Sequence, residues 1–234
     1  RMNTLNLSFS LILLASLFSC KNEQKELIIT NQPDSIEEIT IDPYTIFGEH
    51  HFLNGYEAKT AEGNINVVVE IPTGSVDKWE VDKTDGSLKW QILEDGPRKV
   101  NYLGYPGNYG MIPKTYLPKD LGGDGDPLDV IVLGPAVKRG SIIECKIIGV
   151  IELLDRGEQD DKLIAVMKDT PFYLVNSIDE LKQSFNGALE IVTTWFSNYK
   201  GPGKMEIQKV SEKERADEIL EASIKAYKDA NETN

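Results

Sequence analysis

Short apolar runs separated by Gly, Pro and Asp dominate the middle of the chain. Runs of this length and composition predict β-strands, because β-branched and aromatic residues favour the extended conformation while Gly, Pro and Asp favour turns. The segment Thr84-Asp85-Gly86 predicts a hairpin turn between two of them. The predicted strands cover residues 66–71, 78–82, 87–93, 130–133, 141–154, 162–167 and 205–210.

Towards the C-terminus the apolar positions change to helical spacing. Ser177 and Glu180 form a capping box in front of an amphipathic pattern, which Gly187 divides into two predicted helices. A second box, Ser211 to Glu214, predicts the start of a last helix. Because no helices interrupt the strands, the order favours a mainly β (α+β) fold, a closed β-barrel with two or three C-terminal helices packed outside.

The first residues have the order of a bacterial export signal. Residues 5–18 are mostly apolar but too few to span a bilayer comfortably, and Leu17-Phe18-Ser19-Cys20 follows before a charged segment. This ending resembles a lipobox, in which the Cys is lipidated and becomes the first residue of the mature chain. We therefore expect a signal peptide at 1–19 and an exported protein, periplasmic or membrane-anchored through a lipid on Cys20. A plain secretory signal or an uncleaved anchor remains an alternative.

The domain organisation follows from the change in pattern. Residues 20–63 are polar and irregular and contain Pro33 and Pro43, which predicts a tether and an N-terminal extension. Residues 64–230 hold the predicted strands and helices and are long enough for one hydrophobic core. We also expect this domain to assemble as a homo-oligomer.

Composition excludes several classes of partner and site. The formal net charge of −13 argues against binding to nucleic acid or to an anionic membrane surface. His50 and His51 are the only histidines, and Cys20 and Cys145 the only cysteines, so neither a His-rich nor a Cys-rich zinc site can form. An acidic protein that acts on an anion must gather positive charge locally.

Three carboxylates lie within six residues, at Asp124, Asp126 and Asp129, directly before a predicted buried strand. Their mutual repulsion is relieved by a cation, and ligand sets made only of oxygen favour a hard ion such as Mg²⁺, Mn²⁺ or Ca²⁺. An EF-hand is excluded by spacing, since its twelfth position needs Glu and counting from Asp124 reaches Pro135. A solvated acidic turn is the simpler alternative for this segment alone.

Other polar residues stand out against their surroundings. Glu70 interrupts an apolar strand, and Lys78 and Glu80 project from one face of the next one. Taken singly, each has an ordinary structural explanation, such as an edge residue, a surface ion pair or a helix C-terminus. The remaining candidates are Tyr105 and Tyr109 around a predicted turn, Asp155, Asp160 and Lys162 after a long apolar strand, and Tyr199 and Lys200 at a helix end.

Taken together, these segments resemble one family. Glu-Ile-Pro, Lys-x-Glu, Tyr-x-x-Asn-Tyr-Gly, Asp-Gly-Asp-Pro-x-Asp-Val, Asp-x4-Asp-x-Lys and Tyr-Lys occur in the order typical of family I soluble inorganic pyrophosphatases. The resemblance covers about residues 65–228 and implies an OB-like closed barrel, in agreement with the strand pattern. It also implies Mg²⁺ as the cofactor, with Mn²⁺ as an alternative, and pyrophosphate as the substrate.

The resemblance assigns a role to each matching residue. It implies Asp126 beside the attacking water and a supporting role for Tyr105. It implies phosphate contacts from Lys78, Tyr109, Lys162, Tyr199 and Lys200. It implies metal ligands at Asp124, Asp129, Asp155 and Asp160, with Glu70 and Glu80 as supporting acidic residues of the metal site.

One phosphate-binding arginine of the family is displaced in this chain. Counting from Glu80 reaches Ile92, where the family carries the arginine. A short insertion before Arg98 restores an arginine at about the usual distance from Tyr105, so we assign the role to Arg98 and keep Lys99 as the substitute.

The resulting hypothesis is an exported, Mg²⁺-dependent hydrolase of inorganic pyrophosphate that uses a metal-activated water. Hydrolysis of another phosphoanhydride is the nearest alternative, although no Gly-rich phosphate loop or base-binding motif is visible. A non-catalytic divalent-cation-binding lipoprotein would need none of the cationic and phenolic groups. An oligosaccharide- or nucleotide-binding barrel would expose aromatic residues along its strands.

Overall fold

A computed structural model describes residues 42–117, 123 and 125–232. Its helices are α1 (Ile178–Ser184), α2 (Ala188–Asn198) and α3 (Lys213–Glu232), with a 3₁₀ turn at Pro171–Leu174. Its strands are β1 (Thr45–Ile46), β2 (Ile65–Ile71), β3 (Trp79–Val81), β4 (Leu88–Trp90), β5 (Ile92–Leu93), β6 (Gly96–Pro97), β7 (Asn108–Met111), β8 (Asp129–Leu133), β9 (Ile142–Asp155), β10 (Glu158–Gln159), β11 (Lys162–Met167) and β12 (Met205–Glu212).

Five strands close into a ring. β2 pairs with β7, β7 with β8, β8 with β11 and β11 with β9, and β9 returns to pair with β2. All of these pairs are antiparallel except β8 and β11. Closure removes the open edges that an isolated sheet would present to other chains. The predicted OB-like barrel with helices outside is therefore confirmed, and β10 and β12 extend the sheet along β9.

The ring strands are largely buried on both faces, and β11 is buried at every position, from Lys162 to Met167. Leu181, Val192 and Phe196 of α1 and α2 belong to the cluster on one face of β8 and β11. Leu220 of α3 belongs to the cluster on the opposite face of the same two strands. Each fully buried side chain of this kind stabilises the fold by about 1.5–3 kcal/mol. Among the described residues, no helix combines the length and the apolar character needed to cross a membrane.

The segment before β2 belongs to the fold more closely than the sequence indicated. Chain contacts separate residues 1–42 from residues 43–234, and β1 pairs with β4 inside the second unit. Phe52 is 1% exposed and packs with Trp79, Leu88 and Met111. From residue 43 onwards the predicted tether is thus a packed extension, because its aromatic residues complete the core beside the β3–β4 hairpin.

Tertiary contacts decided the local structure at two of the predicted turns and caps. The turn predicted between Tyr105 and Tyr109 is a bend at residues 106–107, and Tyr109 itself lies in β7, where Gly110 lets the backbone pass very close to β2. A Cβ at Gly110 would lie 1.8 Å from the carbonyl oxygen of Val68. The predicted second capping box does not form, since Ser211 lies in β12 and its hydroxyl donates to Glu152, 2.6 Å away. One half of the first box forms, with Ser177 Oγ accepting from the Glu180 N–H, while the Glu180 carboxylate accepts from the Asn176 N–H.

Candidate active site

A polar cavity of about 210 Å³ opens at the end of the ring where β8 and β11 begin and β9 ends. Below it is called the inner cavity. Strands, a hairpin and the end of α2 all contribute to its walls, so residues far apart in the sequence meet there. The sequence-predicted residues that line it are Lys78, Arg98, Tyr105, Tyr109, Asp129, Asp155, Asp160, Lys162, Tyr199 and Lys200.

A buried lysine lies between two carboxylates at the floor of the inner cavity. Asp129 is the first residue of β8 and Lys162 the first residue of β11, and these strands run parallel side by side. Lys162 is 2% exposed, and its ammonium donates to Asp129 over 2.5 Å and also to Asp160. Burial lowers the pKa of Lys162, but the two carboxylates outweigh burial, so its pKa lies above the ordinary value and it stays charged.

Three phenols also line the inner cavity and form an aromatic cluster with Trp195. The ring centroid of Trp195 lies 4.4 Å from that of Tyr199 and 4.3 Å from that of Tyr105. The ring centroids of Tyr105 and Tyr109 are 5.1 Å apart. Burial raises the pKa of all three tyrosines. Their hydroxyls therefore remain protonated at neutral pH and can donate hydrogen bonds to an anion.

Arg98, not Lys99, borders the inner cavity. Lys99 instead lies 3.9 Å from Asp77 and over the ring of Trp90. Ile92, where simple counting placed the arginine, is 53% exposed on β5. The β5–β6 hairpin separates Ile92 from Arg98 in the sequence, and Arg98 is the residue whose side chain lines the inner cavity.

Two neighbours hold Arg98, and the sequence had not marked either of them. The Trp90 indole N–H donates to the Arg98 carbonyl over 2.8 Å, and the guanidinium donates to the Gln91 side-chain oxygen over 2.6 Å. The Lys78 N–H donates to the same Arg98 carbonyl over 3.0 Å. The sequence signal that could have indicated the contact of Trp90 with Arg98 is the pair of tryptophans in the predicted hairpin, Trp79 and Trp90, which lie opposite each other on β3 and β4.

A second, wider cavity of about 510 Å³ adjoins the first, and Lys78 and Asp129 line both. Glu70 is 4% exposed on its wall and accepts the Val81 N–H over 2.8 Å. Burial raises the pKa of Glu70 to about 8, although Lys78 opposes the shift. Glu80 lines the same cavity from the exposed face of β3, so the predicted common face of Lys78 and Glu80 is confirmed.

Each remaining predicted acid that the structure describes is paired with a lysine. Asp126 forms an exposed ion pair with Lys83, and Asp155 accepts from Lys200 over 2.6 Å. Asp124 lies outside the described residues. Within residues 42–117, 123 and 125–232, no three acidic, histidine or cysteine side chains converge closely enough to hold a metal ion.

The donor chemistry around the cavities nevertheless fits a hard divalent cation. Every acidic group there offers carboxylate oxygen, the ligand that Mg²⁺ prefers. One oxygen of Asp155 is buried and has no hydrogen-bond partner among the described residues. A buried oxygen of this kind carries a free-energy cost that a bound cation would remove.

Sequence reasoning gave no role to several cavity residues, of which three carry polar groups beside the predicted acids. Glu158 and Gln159 of β10 line the inner cavity, and Lys83 lines the wider one beside Asp126. Glu158 and Gln159 lie between Asp155 and Lys162 in the sequence, so that motif already enclosed them. Lys83 had no signal beyond its place in the hairpin turn, because its partner lies more than 40 residues away.

Comparison with known proteins agrees with this geometry. A family model described as inorganic pyrophosphatase matches residues 67–228. The chain is 36% identical over 177 residues to an inorganic pyrophosphatase of Gluconobacter oxydans, covering 73% of this chain and 95% of that protein. It is 34% identical over 171 residues to an inorganic pyrophosphatase of Campylobacter jejuni, covering 70% of this chain and 92% of that protein.

A solved structure gives the same result. The inorganic pyrophosphatase of Helicobacter pylori superposes with a TM-score of 0.63 at 32% identity, covering 74% of this chain and 98% of that one. The matched region holds every predicted site residue and, apart from the first two residues of β2 and the last four of α3, the ring and the helices. The chain therefore belongs to the inorganic pyrophosphatase family.

Proposed function

We propose that the chain hydrolyses inorganic pyrophosphate to two phosphates in a Mg²⁺-dependent reaction. The observation that carries the proposal is the meeting of lysines, Arg98 and three phenols around Asp129 in one cavity. These are the groups that neutralise and hold phosphoryl oxygens. A protein that only stored divalent cations would need the carboxylates alone.

The size of the inner cavity favours the smallest phosphoanhydride. Its volume of about 210 Å³ is below the roughly 300–1,000 Å³ typical of sites for drug-sized ligands. A nucleotide would also need a surface for its base, and the inner wall offers charged and phenolic groups instead. Hydrolysis of a larger phosphoanhydride stays the alternative, and parallel assays with ATP distinguish the two.

We propose that Asp124, Asp129, Asp155 and Asp160 would hold Mg²⁺, with Glu70 and Glu80 supporting them. Mn²⁺ offers the same preference for oxygen ligands and is the alternative. When bound, the metal supplies charge neutralisation and makes water more acidic. Asp129 lines both cavities, which makes it the central ligand of the set.

The chain's own groups divide the remaining work. Hydrolysis forms a bond between phosphorus and the oxygen of water and breaks one bond of the phosphate bridge, and Asp126 accepts a proton from the attacking water. Lys78, Arg98, Lys162 and Lys200 bind phosphoryl oxygens as charge moves to the leaving phosphate. Tyr109 and Tyr199 add hydrogen bonds from hydroxyls that burial keeps protonated.

Phosphate release from pyrophosphate, with and without Mg²⁺, tests this proposal directly. We expect release that depends on the metal and that ATP at the same concentration does not reproduce. No release from pyrophosphate in the presence of Mg²⁺ or Mn²⁺ would overturn the proposal. Release from ATP at an equal rate would favour the broader phosphoanhydride hydrolase.

For location, we propose that the protein is exported and anchored by a lipid on Cys20. The support is the apolar segment that ends at Cys20 before a charged stretch, which lies outside the described residues. A diacylated and N-acylated Cys buries enough methylenes, at about 0.8 kcal/mol each, for stable anchoring. Cys20→Ser should release the protein to the soluble fraction or trap its precursor. Intact mass without lipid on Cys20 would exclude the anchor.

We also propose a homo-oligomer. Leu103, Leu174 and Ile191 are large apolar side chains that are 70%, 81% and 63% exposed. Exposed apolar residues of this kind often become buried against another subunit. Light scattering after size-exclusion chromatography should give a mass above that of one chain, and the mass of a single chain would contradict the proposal.

A further inference from the structure

A third cavity of about 370 Å³ adjoins the inner cavity, and we call it the outer cavity. The two share a wall formed by Arg98, Val100, Asp155, Tyr199 and Lys200. The outer cavity adds Lys99, Asn101 and Arg156. An anion seated against Arg98 and Lys200 is therefore in reach of both cavities.

The two cavities differ in their charge. In the inner cavity, the cations Lys78, Arg98, Lys162 and Lys200 face the carboxylates of Asp129, Asp155, Glu158 and Asp160. In the outer cavity, Arg98, Lys99, Arg156 and Lys200 face one carboxylate, Asp155, which already accepts from Lys200. The outer cavity thus carries surplus positive charge in a chain whose formal net charge is −13. Such a local surplus attracts anions.

Arg156 lines the outer cavity but not the inner one. It occupies the turn between β9 and β10 with φ +52°, and its N–H donates to the Lys204 carbonyl over 2.8 Å. Its side chain is exposed, and in the described part of the chain no carboxylate forms an ion pair with its guanidinium. The turn therefore presents an unpaired guanidinium, a group suited to bidentate contact with phosphate.

We propose that the outer cavity binds a phosphoryl group beyond the two of pyrophosphate, so that the chain binds linear tripolyphosphate across both cavities. The inference rests on the proposed function for its inner end. The shared wall makes this possible, because a linear anion that fills the inner cavity and continues past Arg98 enters the outer cavity. A single phosphate would gain nothing from this continuity.

A competition assay between pyrophosphate and tripolyphosphate measures the contact between Arg156 and the third phosphoryl group. Release of labelled phosphate from labelled pyrophosphate is followed at fixed free Mg²⁺, with tripolyphosphate as the inhibitor. Arg156→Gln should raise the inhibition constant of tripolyphosphate about fivefold, the size of one partly exposed ionic contact. The KM for pyrophosphate should change less than about twofold, because Arg156 does not line the inner cavity. Glutamine meets the same backbone constraint as arginine, so the turn is retained.

Lys228→Gln is the matched control, since it removes one positive charge from α3 in a groove formed with Glu57 and Glu221, apart from both cavities. It should change neither constant. If Arg156→Gln weakens pyrophosphate and tripolyphosphate equally, the charge acts at long range and the proposal is wrong. If it weakens neither, the outer cavity holds no phosphoryl group and the proposal is also wrong.

A binding measurement separates this inference from the proposed function. Calorimetric titration of tripolyphosphate in metal-free buffer needs no turnover, and Arg156→Gln should weaken binding there as well. If the wild type releases no phosphate from pyrophosphate, the proposed function fails and calorimetry alone decides on the outer cavity. Weaker binding by the variant would then support the outer cavity, and equal binding by both proteins would overturn it.

Discussion

The two walls of the inner cavity are built differently. One wall, the strand wall, carries Tyr109, Asp129 and Lys162 on the adjacent strands β7, β8 and β11. The other, the loop wall, carries Arg98 and Lys200 where elements end or turn. In the strand wall, backbone pairing sets the distance between neighbours, whereas in the loop wall individual side-chain contacts hold each group.

Burial separates the lysine of the strand wall from an exposed ion pair of the wider cavity. The Lys162 side chain is 3% exposed between its carboxylates, while Lys83 and Asp126, at the mouth of the wider cavity, are 56% and 52% exposed. Breaking a buried ion pair leaves a charge without water, but breaking an exposed one lets water replace the partner. Changes in the strand wall should therefore cost stability and activity together, and changes in exposed or loop positions should affect activity alone.

The largest expected effect is that of Lys162→Met, compared with Lys83→Met. The first variant leaves Asp129 and Asp160, which are only partly exposed, without their cation and should lower the free energy of unfolding by about 3 kcal/mol. The second removes the same side-chain type from an exposed pair and should cost less than about 1 kcal/mol. Urea unfolding followed by tryptophan fluorescence measures both. Equal losses would show that the two positions do not differ in the way proposed.

Asp129→Asn tests the strand wall through its effect on turnover. The amide keeps the shape of the side chain but loses the charge of a proposed metal ligand, so turnover should fall by at least about a hundredfold, or roughly 2.7 kcal/mol in barrier. Stability should fall less than in Lys162→Met, because Asp160 still pairs with Lys162. Retention of more than about a tenth of the activity, a loss under roughly 1.4 kcal/mol, would remove Asp129 from the ligand set.

Arg98→Ala and Lys99→Ala test the loop wall. Loss of the guanidinium should lower kcat/KM for pyrophosphate by about thirtyfold, or roughly 2 kcal/mol, the value of a charge-assisted contact. Lys99 borders only the outer cavity, so its variant should stay within about twofold of the wild type. Impairment of the Lys99 variant alone would show that the substrate contact lies one residue further along. Both variants should unfold like the wild type.

Trp90→Phe should have the smallest effect. It removes the hydrogen bond from the indole to the Arg98 carbonyl, worth about 1 kcal/mol, and should raise KM a fewfold with little change in kcat. Trp79→Phe is the matched control, since its buried indole N–H has no hydrogen-bond partner among the described residues. The two rings stack with their centroids 5.6 Å apart, so each variant alters the same ring contact. Equal KM values would mean that Trp90 does not position Arg98.

The sequence alone determined much of the barrel and the chemical types at the site. The predicted runs at 66–71, 130–133, 141–154 and 162–167 agree with β2, β8, β9 and β11 within a few residues. This success has a local cause, because strand propensity and turn residues act over short distances. The carboxylates, lysines and tyrosines of the motifs were also visible without any contact between them being known.

Tertiary structure decided which of these residues meet. The sequence offered two positions for the phosphate-binding arginine: position 92 by counting from Glu80, which holds Ile, and Arg98 after a gap. Only the structure shows that the chain passes through the β5–β6 hairpin and that Arg98 lines the cavity. β7 depends on the close approach of Gly110 to Val68, and Ser211 lies in a strand because β12 pairs with β9 up to this point. Such contacts join residues far apart in the sequence, so patterns within a short stretch of sequence do not reveal them.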